Sequence, residues 1–216
     1  MNSRHKSLGK RSSVAAEQTK IEILKAALRE FSKYGYDATS LRKIAEEAGT
    51  THGLIRHHFG DKLLLYKCVV DFGYEQFISD LEPIFSAIES SDALNDPITL
   101  AKKSLRIFAR GSIERPELAR LILHEAIVES ERLEYFYEKV DRVSALFEGL
   151  FSALQHAGVM KNFETLKSYT HFIFFNLPIP LSLNKFSSSF MESEIHAEEE
   201  LEKYLNRFGT LLFGDK

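Results

Sequence analysis

The chain has 216 residues, 44% hydrophobic and 27% charged, enough to bury a core and ordinary for a globular protein. Its single cysteine excludes an internal disulfide and a zinc site built on cysteine pairs, and fits a reducing cytoplasm. The net charge of −3 hides a split: residues 1–70 hold 13 Lys and Arg against 7 Asp and Glu, whereas residues 71–216 stand at −9, so only the first third is suited to a polyanion.

Residues 1–16 are polar, Ser-rich and basic with no apolar run behind the charges, and predict a flexible arm rather than a signal peptide. From Glu17, the spacing of Ile21, Leu24, Leu28 and Phe31 predicts a helix that Gly35 ends. Leu41, Ile44, Ala45 and Ala48 then fall at i, i+3, i+4 and i+7, one face of a short helix. Thr39 or Ser40 stands at its N-cap and Gly49 at its left-handed C′ position. Thr50 or Thr51 caps a further helix, His52 to Phe59. Helix, glycine turn, helix is the helix-turn-helix layout.

Asp61 is positioned to cap a long helix from Lys62 to about residue 80, with Pro83 expected to kink or end it. Asp96-Pro97 opens a helix to about Gly111, Arg115-Pro116-Glu117 opens another, and a longer one is expected from about Glu131 to Gly158. Asn162 stands where it caps a helix carrying Leu166, Tyr169, Ile173 and Phe174. The last helix runs from about Glu194 to Phe213. No strand alternation appears, so the expected fold class is all-α, with about nine helices.

The most apolar stretch, Phe172 to Leu183, is broken by Pro178 and Pro180 and is shorter than the roughly twenty residues that span a bilayer, so no membrane partner is expected. The histidines are scattered, without an HExxH pair, a cysteine nucleophile setting or a glycine-rich phosphate loop. The expectation is a cytoplasmic protein that is not an enzyme and needs neither metal nor cofactor.

On a helical wheel of His52 to Phe59, Thr51, Ile55, His58 and Phe59 share one side, while Gly53, Arg56 and His57 face the other. The outer side suits a DNA major groove. Arg56 presents a fork for guanine O6 and N7 or for a phosphate, an imidazole pairs with a base edge, and Gly53 permits close approach. Lys62, at the start of the next helix, adds its charge to free backbone N–H groups, a clamp for a phosphate.

The stretch TKIEILKAALREFSKYGYDATSLRKIAEEAGTTHGLIRHHFGDKLLLYKCVV resembles the DNA-binding domain of the TetR (tetracycline-repressor) family of bacterial transcription regulators. The residues that carry the resemblance are Ile23, Leu24, Ala26, Ala27, Phe31, Gly35, Tyr36, Thr39, Ile44, Ala45, Ala48, Gly49, Gly53, His58, Phe59 and Lys62, in register without a gap. The sequence departs from the family at Thr50, where an apolar residue is usual, and at Arg56, where Tyr is common. Carried over position by position, the resemblance implies DNA contacts at Thr39, Ser40, Arg42, Thr51, His52, Gly53, Arg56, His57, His58 and Lys62. For His58, whose side of the wheel is the inner one, bracing the helix is the competing role.

The resemblance also implies an organisation: the arm at 1–16, a three-helix DNA-binding domain at 17–77 with its helix-turn-helix at about 40–59, and a ligand-binding and dimerisation domain at 78–216. Candidate pocket residues are Phe108, His124, Tyr137, His171, Phe172 and Phe175, an aromatic set suited to an apolar or amphipathic small molecule. Tyr169, Ile173, Leu201, Tyr204, Leu205, Phe208 and Leu212 are candidates for a homodimer interface, with ordinary internal core as the competing role. The implied function is a homodimeric repressor of a pseudo-palindromic operator, released by its ligand. The alternative is a protein of the same fold that organises the chromosome or controls division through a protein partner.

Overall fold

A computed structural model describes residues 4–89, 95–160, 162–190 and 194–214, with the backbone alone for residues 4–13 and 89. All regular elements among them are helices. They group into two compact units that divide between Gly73 and Tyr74.

The first unit holds α1 (Arg4–Ala38), α2 (Leu41–Glu47), α3 (His52–Phe59) and the start of α4 (Lys62–Glu89). Its core consists of residues that the helical period places inward: Ile23, Ala26, Ala27, Leu28 and Phe31 from α1, Ile44 and Ala45 from α2, Ile55 from α3, and Leu65, Tyr66, Val69 and Val70 from α4. Gly35 leaves the helical path inside α1, at φ 77 and ψ 169, a backbone state that only glycine enters readily. The expected arm differs from what is seen. Residues 1–3 lie outside the described residues, but from Arg4 the backbone is already helical, since nothing between Arg4 and Gly35 forces an end. Residues 14–18, Val-Ala-Ala-Glu-Gln, are exposed and helical all the same.

The second unit holds the rest of α4 and α5 (Pro97–Glu114), α6 (Glu117–Val128), α7 (Leu133–Leu146), α8 (Glu148–His156), α9 (Leu166–Asn176), α10 (Pro178–Ser182), α11 (Asn184–Ser188) and α12 (Glu198–Phe213). Its core joins Leu100, Leu105 and Ala109 of α5, Leu150, Phe151 and Leu154 of α8, Leu177 and Leu181 around α10, and Leu201, Leu205, Phe208 and Leu212 of α12. The helices outnumber the nine expected. The stretch expected as one helix from Glu131 breaks at Phe147, whose ring turns inward onto Phe85 at 5.4 Å between centroids. Pro178 and Pro180 shorten α10, and α11 follows it directly.

Pro83 does not end α4, which continues to Glu89. The carbonyl that loses its amide partner there belongs to Ser79, and both Ser79 and Pro83 are exposed, so the loss falls on the solvent side of the helix. Thr165, not Asn162, caps α9, in a reciprocal box with Ser168. Among the described residues no helix is long and apolar enough to cross a membrane.

Candidate nucleic-acid interface

In the first unit, α2 and α3 are set by their ends. The Ser40 hydroxyl accepts the Lys43 N–H at 3.2 Å, and Gly49, at φ 61, turns the chain out of α2. The Thr51 hydroxyl accepts the Leu54 N–H at 3.2 Å and starts α3. The buried side of α3 is anchored by Ile55, which is fully enclosed. Two ion pairs tie α2 to α1, Arg29 with Glu47 at 3.1 Å and Lys43 with Glu30 at 3.1 Å. Loss of water lowers the pKa of Lys43, but the hydrogen bond and charge of Glu30, and then Tyr34, outweigh it and raise it overall.

What this scaffold leaves outward is a polar face with a basic edge. Ser40, Arg42, Thr51, His52, Gly53, Arg56 and His57 are all exposed. Among the described residues Arg42 pairs only with Glu46, one turn on and itself exposed, a bond worth little against a phosphate. Arg56 is exposed and makes no ion pair among the described residues. A methyl group built on Gly53 would meet nothing nearer than the Thr51 hydroxyl at 4.0 Å, so the fold does not require glycine there. Free N–H groups at the start of α3 give that end of the face a positive potential.

Three predicted contacts are placed differently from the rest. Thr39 is 2% exposed, and its hydroxyl donates to the Gly35 carbonyl at 2.8 Å and also lies 3.2 Å from that of Glu30. It is a brace between α1 and α2, not a surface contact, because its side chain turns inward onto carbonyls of α1 beside the break at Gly35. His58 is half-buried, its ring edge-on to His57 at 5.3 Å and to Phe59 at 6.2 Å. Lys62 is half-buried, with its ammonium over the ring of Tyr36. Tyr36 was legible only as a matched position: nothing local ties it to a lysine that far along the chain.

The second unit corrects the other two predicted sets. Of the supposed interface, Tyr169, Leu201, Leu205, Phe208 and Leu212 are buried within the chain's own core, and Ile173 and Tyr204 pack against it. Apolar residues at helical spacing mark a packed face, and here the chain itself covers that face. Burial raises the phenol pKa of Tyr169 well above its ordinary value. The supposed pocket residues do not converge. Phe172 stacks on Phe208 at 5.7 Å and Phe108 meets Phe77 at 4.5 Å, while Tyr137 and Phe175 are exposed and His171 lies against Phe175. His124, on α6, is half-buried. A cavity of about 560 Å³ opens elsewhere, between the end of α4 and α5, floored by Ile84, Ala87, Leu100 and Ile107 with Lys103 on its rim.

Residues 23–67 match the family described as bacterial regulatory proteins, tetR family. The chain is 32% identical over 96 residues to the HTH-type transcriptional repressor AcnR of Corynebacterium efficiens, covering 44% of this chain and 41% of AcnR. It is 30% identical over 138 residues to the HTH-type transcriptional regulator AcrR of Shigella flexneri, covering 59% of this chain and 62% of AcrR. The chain thus spans less than two thirds of the length of these curated relatives. Among solved structures, that of HlyIIR, a hemolysin II transcriptional regulator, aligns with 93% of this chain and 99% of its own, at a TM-score of 0.63 and 28% identity.

Proposed function

The chain belongs to the TetR family of bacterial regulatory proteins, and from that we propose that it is a cytoplasmic homodimeric repressor whose paired α3 helices read a pseudo-palindromic operator. The observation that carries this reading is the outer face of α3. Its exposed Arg56, His52 and His57 surround a glycine that the fold itself does not require. Arg56 forks onto a guanine edge or a phosphate, the imidazoles pair with base edges, and Gly53 admits the groove wall. Ser40, Thr51 and Arg42 hold flanking phosphates and so fix the register in which the bases are read.

Dimerisation uses the outward sides of α9 and α12. The exposed His171 and Phe175 on α9, and Arg207 and Leu211 on α12, offer an apolar strip with polar flanks, once the inner faces are committed to the core. Two-fold pairing places the recognition helices about one DNA turn apart. An apolar or amphipathic small molecule in the cavity beside Ile84, Leu100 and Ile107 releases the operator by favouring the state in which that spacing is wrong.

Selection of bound duplexes from a random pool tests the reading. The expected product is an inverted repeat whose enrichment is lost in Arg56→Ala. Enrichment of many unrelated single sites, with no symmetry, would instead favour a chromosome-organising protein that acts through a partner.

A further inference from the structure

Lys62 is the first residue of α4, where the Asp61 carboxylate accepts the Leu64 N–H at 2.9 Å. Its ammonium lies 4.2 Å from the centroid of the Tyr36 ring. That ring is itself held. It stacks on Phe31 at 5.7 Å and 20°, and meets Tyr66 edge-on at 5.2 Å and 90°, while Phe31 and Tyr66 close the triangle at 5.3 Å. Phe31 and Tyr66 are fully buried, so they cannot yield without opening the core of the unit. Tyr36 is half-buried, and it follows directly on Gly35, whose positive φ turns the chain out of the helix at this point.

We infer that Tyr36 is a positioning residue for Lys62: it holds the ammonium in place at the start of α4, ready for a DNA phosphate. The inference rests on the DNA-binding reading and adds to it a residue that does not contact DNA. A cation over an aromatic face is drawn to the negative charge of the ring's π cloud. A lysine stem free in solvent loses rotamer freedom when it grips a phosphate, and one already held over a ring has lost much of it beforehand. The contact leaves the ammonium its charge, and that charge is what a phosphate attracts. Asp61, adjacent and exposed, is engaged with the α4 N-terminus rather than with this ring.

Two measurements on the full chain test the inference. In the free protein, the ε-methylene protons of Lys62 should resonate upfield of the other lysines, from the ring current of Tyr36. The shift should survive in Tyr36→Phe and vanish in Tyr36→Leu. Affinity for a random-sequence duplex should then fall about two- to fivefold in Tyr36→Leu, stay near wild type in Tyr36→Phe, and show no further loss when Tyr36→Leu is added to Lys62→Gln. An ordinary Lys62 shift in the wild type, or a Tyr36→Leu loss that is the same with and without Lys62, overturns the proposal. A wild-type chain that binds no duplex at low salt overturns the DNA-binding reading itself, and is recognised before any variant is compared.

Discussion

The two units of this chain are built from the same material, amphipathic helices with Leu, Ile and Phe on one side, yet they declare their roles very differently. In the first unit, burial and exposure separate along the period of a single helix: Ile55 is enclosed and Arg56 and His57, its neighbours, are bare. In the second, the same kind of pattern is spent on internal packing, and the residues left outside, such as Phe175 and Leu211, stand between the stripe positions. A polar face on a short helix is informative because a core has no use for it. An apolar face is ambiguous because either the chain's own core or a partner will cover it.

Variants that break this contrast can be ranked by expected size. Phe208→Ala should destabilise the second unit by about 3–5 kcal/mol in chemical denaturation, because it opens a cavity beside Phe172. A folded monomer of unchanged stability would return Phe208 to the dimer interface. Arg56→Ala should leave stability alone and weaken binding to the selected operator by roughly 1–3 kcal/mol if it reads a base. A uniform loss on every duplex, with a shallower salt dependence, identifies a phosphate contact instead.

Thr39→Val should lower the stability of the first unit by about 1–3 kcal/mol, since the carbonyls of Gly35 and Glu30 lose their donor. Operator affinity of the folded variant should be nearly unchanged, and a large loss of affinity without loss of stability would make Thr39 a DNA contact after all. Gly53→Ala should be the mildest for the fold, raising stability by no more than about 1 kcal/mol, while it weakens operator binding because the added methyl stands between α3 and the groove. Equal affinity in that variant would mean that the helix does not approach DNA at Gly53.

The all-α class and the helix-turn-helix are legible in the sequence because each depends on residues within a few positions of one another. The caps are legible to within one residue, Thr39 or Ser40 and Thr50 or Thr51, of which the structure selects Ser40 and Thr51. The DNA contact at Thr39 is implied by the resemblance alone, and the sequence offers Thr39 and Ser40 as equal caps; only the break of α1 at Gly35 shows which one turns inward. The continuation of α4 through Pro83, the break at Phe147 and the burial of the α12 stripe all depend on which helix lies opposite, and no local spacing states that. Tyr36 and Lys62 meet through the fold rather than through sequence proximity, so their pairing was out of reach.

The central claim is that the exposed side of α3 is the surface that meets DNA. The most direct measurement is the change in backbone amide shifts of the full chain on titration with the selected duplex. The account predicts that the largest changes fall on His52 to His57, with smaller ones at Ser40 to Arg42 and at Lys62. Changes confined to residues beyond Gly73, or absent from α3, would contradict it.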